Sequence, residues 1–455
     1  MLLAVRRPNE PAWASLKMAQ GDMNAFSDTV QRLAMPGPIG VESGVDTAAR
    51  PHARRVSASH SIDRAGLQIG VVTETAALAS LAPEWNSLFE RAGRPSQVFQ
   101  THAFASLYAS TYDLGTPGAS SRHACNCRLA ILTARREGRL VMVWPLVETR
   151  RFGVRCLSWL GEPVTQYGDV VLDPAEQALE TLQTAFDFIR AEIRPDMFRL
   201  RKVRSDAVIA PFLSSLDITP AEPVEAPCVT LAAGGSPFED RQNGKARKNR
   251  RRLMRRLEEC GTVVFRELPP GDAASAALAA GLTDKRDWLK RRGLVSPSLG
   301  APLVDRLLDH AATDPHRTTG CAAFELAVDG RPVAFALGFR CKGRLLLHMI
   351  TYAHDMEKHG VGVLNLEAIL RLAEAEGLEA VDLLPPKAEY KLDWADVAVP
   401  AGDYRMGLTA RGRLVSQIVD GRVIPAIKDT IYRLPMALRR KLAAHTLAHT
   451  EKAGA

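Results

Sequence analysis

The chain has 455 residues, 46% apolar and 24% charged, which suits about two domain cores of ordinary size and excludes a wholly disordered chain, a collagen or a many-span membrane protein. The formal net charge of +8 is concentrated in one tract, since residues 241–256 read RQNGKARKNRRRLMRR, with nine basic residues in sixteen and no acid. Seven cysteines, of which only Cys125 and Cys127 are close together, fit reduced and mostly buried thiols, and the lack of a long apolar run or a signal-like h-region points to the cytoplasm.

Residues 1–65 lack sustained apolar periodicity and read as a flexible leader, with one short helix near 23–33. Ordered structure is expected from Leu67, where LQIGVVTE reads as a strand. A helix over 78–92 follows, with Leu81, Trp85, Leu88 and Phe89 on one face, and a second over 102–111. Arg136-Glu137-Gly138-Arg139 joins two strand-like runs as a hairpin. Strands at 155–160 and 169–172, a helix at 176–191 and a strand at 197–203 complete the first half.

The second half repeats this order. Asp329-Gly330-Arg331 forms another hairpin between strands 321–328 and 333–339, followed by strand 344–350, helix 363–375 and strand 380–384. In that helix Leu364, Ala368 and Leu372 recur at four-residue spacing as the packed side. The basic run 245–256 has no Gly or Pro and reads as one helix, and helices are also expected at 273–291 and 303–312. The Pro-, Ala- and Gly-rich tract 220–237 reads as a linker. The expected domains are therefore 66–219 and 238–400, flanked by the leader and a basic C-terminal extension, 401–455, within which 424–442 could dock. The fold class is mixed α/β with a duplicated plan.

The tract 348–391 concentrates the chemistry. Gly360 and Gly362 lie between a strand and a helix, where glycine lets the backbone approach a ligand and the helix's first amides can meet an anion. Val361 and Val363 supply neighbouring amides. A P-loop is excluded because no Lys-Ser/Thr pair follows the glycines, and a dinucleotide fingerprint because Leu366 stands beyond them. The strand carrying Asp382 leads into Pro385-Pro386-Lys387-Ala388-Glu389-Tyr390-Lys391, beyond the carboxyl end of a strand, where open α/β sheets hold ligands. Tyr390 could protonate a leaving thiolate, and Lys387 and Lys391 could hold an anionic group. His354 or Asp355 could act as a general base. His348, His354 and His359 show no metal-ligand spacing with Asp355, and the chain has neither H-E-x-x-H nor G-x-S-x-G, so no metal is expected.

These residues resemble the FemAB-like branch of the GNAT acyltransferase superfamily, especially the bacterial acetyltransferases labelled cellulose-biosynthesis CelD/BcsL proteins. The resemblance covers residues 67–394. It is carried by Leu81-Ala82-Pro83-Glu84-Trp85-Asn86-Ser87-Leu88, by Phe99-Gln100-Thr101 with Phe104, and by the basic run leading into Leu257-Glu258-Glu259-Cys260-Gly261. It continues through Tyr352, Gly360, Glu367-Ala368-Ile369, Asp382, Glu389-Tyr390-Lys391 and Trp394. It implies tandem GNAT-like domains, the first degenerate, and transfer of an acyl group from acetyl-CoA or another acyl-CoA. The acceptor would be an amine or hydroxyl on a small molecule, sugar or envelope precursor. Gly360, Val361, Gly362, Val363 and Lys391 are then the expected donor contacts, and Tyr352, Asp382, Lys387 and Glu389 the expected acceptor contacts. Glu357 stands where ordinary members of the superfamily carry Gln or Arg. Two alternatives stay open: a FemAB-type ligase drawing on aminoacyl-tRNA, and a noncatalytic scaffold associated peripherally with envelope-polysaccharide machinery.

Overall fold

The computed structural model describes residues 62–64, 66–115, 127–151, 153–216, 218, 220–231, 237–296, 298–301 and 303–453. The expected leader, including its helix at 23–33, lies outside the described residues except at its end. There the chain already forms β1 (Ile62–Arg64), paired with β2 (Leu67–Val72), so ordered structure begins before Leu67.

The first half continues with α1 (Thr75–Ser80), α2 (Ala82–Ala92) and α3 (His102–Thr111), then β3 (Cys127–Leu129) and β4 (Ile131–Arg136). It goes on through β5 (Arg139–Trp144), β6 (Leu146–Arg151), β7 (Val154–Trp159), β8 (Val171–Leu172), α4 (Ala178–Phe188), β9 (Met197–Arg204), α5 (Ala210–Ser215) and β10 (Ala221–Thr230). The second half opens with α6 (Gly244–Glu258), β11 (Val263–Leu268), α7 (Asp272–Arg292) and α8 (Val304–Thr313). It then runs β12 (Cys321–Val328), β13 (Arg331–Cys341), β14 (Arg344–Tyr352), α9 (Val361–Ala375), β15 (Ala380–Asp382), α10 (Glu389–Leu392) and β16 (Val397–Gly407). The chain closes with α11 (Ala410–Leu414), a π-helical stretch (Val415–Val423), α12 (Ile424–Arg433) and α13 (Met436–Ala453).

Local chemistry explains several boundaries. The side chain of Thr101 accepts from the Phe104 amide and starts α3. A break at Leu81, with Pro83 in the next first turn, divides the single helix expected at 78–92 into α1 and α2. Both hairpins turn through two left-handed residues, Glu137 and Gly138 in one, Asp329 and Gly330 in the other, the pairing that matches strand twist.

The strands form two sheets. The smaller has the order β1-β2-β4-β5-β8, and the larger β11-β12-β13-β14-β15-β10-β16-β9-β7-β6-β3. In each half a strand pairs parallel with the strand after the next helix: β14 with β15, and β7 with β9. Beside each pair lies a strand from the other half. β10 of the first half lies antiparallel to β15, and β16 of the second lies antiparallel to β9. β10 and β16 then pair with one another at the centre. The molecule thus consists of two halves of like strand order that exchange their last strands.

This exchange corrects two readings. The tract 220–237 is not simply a linker: residues 221–230 form a central strand, and 232–236 lie outside the described residues. Pro223 and Pro227 gave the segment its linker-like look. Pro227 accepts from the Leu383 amide on the β15 side, so its missing N–H spares the β16 ladder, and Pro223 falls in the bulge between Ala221 and Val224. Likewise 401–407 is not extension but part of β16. A further departure is at α9, whose buried stripe runs through Leu364, Leu366, Ile369, Leu370 and Ala373, leaving Ala368 and Leu372 only half-buried. Among the cysteines, Cys156, Cys228, Cys321 and Cys341 are buried thiols and Cys260 is an exposed one, but Cys127 is disulfide-bonded, contrary to the all-reduced expectation.

Candidate active site

The pairing of β14 and β15 is short. It runs from Arg344 opposite Ala380 to Leu346 opposite Asp382, after which β14 continues to Tyr352 while the other chain turns away. That turn passes through Leu384, which is left-handed, and a cis Pro385-Pro386 bond before α10. The two strands therefore part, and the opening between them is lined by both rims. On β14 the register against β13 shifts between Leu337 and Gly338, partners of Met349 and Leu347, so His348 is the extra residue of a bulge.

The start of α9 borders the opening. Gly360 is left-handed (φ 68°), and a Cβ there would come within 2.8 Å of Leu253 Cδ1 on α6. A Cβ on Gly362 would come within 2.9 Å of Tyr352 Cδ1. Both glycines therefore serve close packing. The amides of Val363 and Leu364 donate to the Gly360 carbonyl at 3.0 and 3.1 Å, which leaves those of Val361 and Gly362 as the helix's leading donors. Glu357, acidic where a cationic or amide side chain was expected, is offset by its neighbours. It accepts from the Tyr352 hydroxyl at 3.3 Å, lies 3.2 Å from His354 Nδ1 and is 3.6 Å from Arg292.

The expected residues separate into two groups. Tyr352, Asp382, Tyr390 and Lys391 gather around the opening. Tyr390 is 46% exposed, and its phenol is pushed up by local burial and by the neighbouring Tyr352. Lys391 is buried and turned inward, donating from Nζ to the carbonyls of Leu384 (2.7 Å) and Pro386 (3.0 Å). Burial and the charge of Lys285 lower its pKa to about 8. The others lie at the surface: Asp355 pairs with Arg331 at 2.8 Å, His354 with Glu357, and Lys387 with Glu225 at 2.6 Å. Glu389 is exposed at the first position of α10.

Asp382 is fully buried, and its partners come mainly from the other half. Oδ1 accepts from the Tyr167 hydroxyl at 2.8 Å and from the Leu384 amide at 2.9 Å, and Oδ2 from Arg204 at 3.0 Å. Burial raises its pKa, with Arg204 opposing. Asp382 is thus a clamp between the halves, not an open contact for a ligand.

Sequence reasoning missed the first half's contribution. The loop between β7 and β8 places the Val164 carbonyl 3.1 Å from His348 Nε2, so this nitrogen carries the proton and Nδ1 is the free acceptor. Burial lowers the His348 pKa to about 4, keeping the ring neutral. Gln166 from the same loop accepts from Lys202 Nζ at 2.7 Å and lies 3.4 Å from His348. The available signal was the repeat itself, because this loop follows β7 as the Tyr352-to-Gly360 loop follows β14.

Residues 244–392, from α6 through α10, match the family model of an acetyltransferase (GNAT) domain. The matched segment lies in the second half. It contains the opening, the start of α9 and Tyr390. No curated protein matches the chain. Among solved structures, the chain is similar to L-PGS from Bacillus licheniformis at 14% identity, covering 76% of this chain and 96% of that one, with a TM-score of 0.44. It is also similar to a tandem GNAT protein from the clavulanic acid biosynthesis pathway (10% identity, 75% and 98% covered, TM-score 0.40). A third is FemX (10% identity, 65% and 91% covered, TM-score 0.45).

Proposed function

We propose that the protein transfers an acyl group, acetyl in the simplest case, from acyl-CoA to an amine or hydroxyl of a small molecule or sugar. The observation that carries this reading is the parting of β14 and β15 within the GNAT-matched segment, with the leading amides of α9 on one side and Tyr390 on the other. The residues present fit such a donor. The amides of Val361 and Gly362 suit a pyrophosphate, and the packed side chains around Gly360 and Gly362 fix that helix start. Bound acyl-CoA would supply the activated thioester.

In this reading the Tyr390 hydroxyl, protonated at neutral pH as any phenol is, gives its proton to the departing sulfur, and the proton released by the attacking amine or hydroxyl replaces it. The amine or hydroxyl of the acceptor enters from the seam with the first half. The resemblance to CelD/BcsL proteins directs the search for acceptors to exopolysaccharide and envelope precursors, and to the cytoplasm. Titration of the folded protein with acetyl-CoA and longer acyl-CoAs tests the donor. Saturable binding to one member supports it, while no binding across the series removes it. Turnover with any acceptor would exclude a purely scaffolding role.

A second reading is favoured by α6. Lys245, Lys248, Arg251, Arg252, Arg255 and Arg256 are exposed there, whereas Arg250 turns inward over the Trp394 ring, 4.3 Å from its centroid, and pairs with Glu367. Such a face suits the phosphates of an aminoacyl-tRNA donor. Retention of tRNA that weakens steeply with salt would support this reading, and salt-insensitive or absent retention would exclude it.

A further inference from the structure

Three lysines meet at the seam beside the opening, and none has an ion-pair partner among the described residues. Lys202 comes from β9, Lys285 from α7 and Lys391 from α10. The charge of Lys285 bears on Lys391, and that of Lys391 on Lys202. Apart from the Trp288 ring, whose centroid is 4.8 Å from Lys285 Nζ, the ammonium groups meet only neutral oxygens. Lys202 donates to Gln166 Oε1 and, at 3.5 Å, to the Thr165 carbonyl; Lys285 donates to the Ile350 carbonyl at 3.0 Å; Lys391 donates to Leu384 and Pro386. An ammonium has three protons to give. Each lysine therefore keeps at least one.

The nearby acids act on this charge only from a distance: Glu162 and Asp403 favour charged Lys202 and Asp382 favours charged Lys391, but none forms an ion pair with them among the described residues. Asp382 is held by Arg204 and Tyr167. Asp403 is held by Arg201 at 3.1 Å and by the backbone amide of Lys202 itself at 2.9 Å. That second bond is made while Lys202 is left-handed (φ 53°), a conformation rarely adopted by residues with a side chain. Glu162 is buried, and neither of its carboxyl oxygens makes a hydrogen bond. Burial pushes Glu162 toward its neutral form, while burial and Arg201 lower Lys202 to about 7. Close, enclosed cations without a counter-ion are costly unless an anion joins them. The buried, unpartnered Nδ1 of His348 lies at the same seam.

We infer that this seam binds an anionic group, a carboxylate or phosphate, carried by the acceptor, with Lys202, Lys285 and Lys391 as its ligands. That the acceptor carries this anion rests on the transferase reading above; the anion site does not. An acceptor so held is anchored by both halves, with its reactive amine or hydroxyl left to face the opening between β14 and β15.

The test uses the full chain at pH 7 and the probes sodium phosphate and sodium malonate, against sodium chloride at equal ionic strength. Saturable binding of phosphate or malonate, with a rise in Tm beyond that in chloride, is expected. Lys202→Met and Lys285→Met should each weaken that binding roughly tenfold or more, as loss of a charged hydrogen bond implies. Lys202→Arg, which keeps the charge, should retain most of it. Coenzyme A should bind in addition to the anion, without competing. No effect of either probe on the wild-type protein beyond chloride would overturn the inference, whether or not the variants fold. Equal responses in the wild type and both Met variants would also overturn it. Competition by coenzyme A would reassign the anion to the donor and overturn the acceptor site. Loss of acyl-CoA binding with intact anion binding would instead remove the transferase reading alone.

Discussion

Tyr390 and Lys391 are adjacent in sequence, yet one faces the opening and the other the interior. Tyr390→Phe keeps the ring and should leave Tm nearly unchanged while kcat falls roughly 10²-fold, if the hydroxyl protonates the leaving sulfur. A fully active variant, in steady-state kinetics, would take Tyr390 out of the mechanism. Lysine titration gives a second prediction. Lys202 and Lys391 have folded pKa values of about 7 and about 8, against an ordinary value near 10.4 in the unfolded chain. Between these limits the unfolded chain holds protons that the folded one has released, so stability should rise from pH 7 to about 9.5. Denaturant melts across that range should show the rise, and Lys202→Met should flatten it. Tyr390 was legible because it follows a strand's carboxyl end. The inward turn of Lys391 was not, since carbonyls of its own loop take its protons. Nor was His348, whose partner Val164 is 184 positions away.

At the scale of elements, the glycines before and within α9 hold three pieces together: the helix, α6 and the end of β14. Gly360→Ala combines left-handed backbone with a Cβ 2.8 Å from Leu253 Cδ1, and should cost about 1–3 kcal/mol in urea unfolding. If the close contact dominates, adding Leu253→Ala would recover part of the loss; if the backbone dominates, the double variant would be weaker still. From sequence alone these glycines read as places where a ligand approaches, because close packing against Leu253 and Tyr352 has no local signature. The hairpins were legible for the opposite reason, since the turn residues themselves impose the geometry. β10 was obscured by its prolines, whose harmlessness depends on which neighbour each strand edge meets.

Across the whole molecule, the order of elements could be read from the sequence but their partners could not, because hydrophobic pattern does not say from which half a neighbouring strand comes. Asp382→Ala tests the seam. It leaves Arg204 with only its local partner Asp206 and the buried Tyr167 hydroxyl without its acceptor, and should destabilise by about 1–3 kcal/mol. Fluorescence of Trp85 or Trp159 in the first half and Trp394 in the second should report one shared unfolding midpoint in wild type. Two separated midpoints would mean that the exchanged strands do not couple the halves. The exchange also has a consequence for synthesis on the ribosome. β9 ends at Arg204, but the strand that covers its edge begins only at Val397. β10 likewise emerges before either of its neighbours exists. The first half must therefore wait with open strand edges until nearly the whole chain has left the exit tunnel, and its final closure is post-translational, dominated by contacts distant in sequence and exposed meanwhile to pairing with other nascent chains.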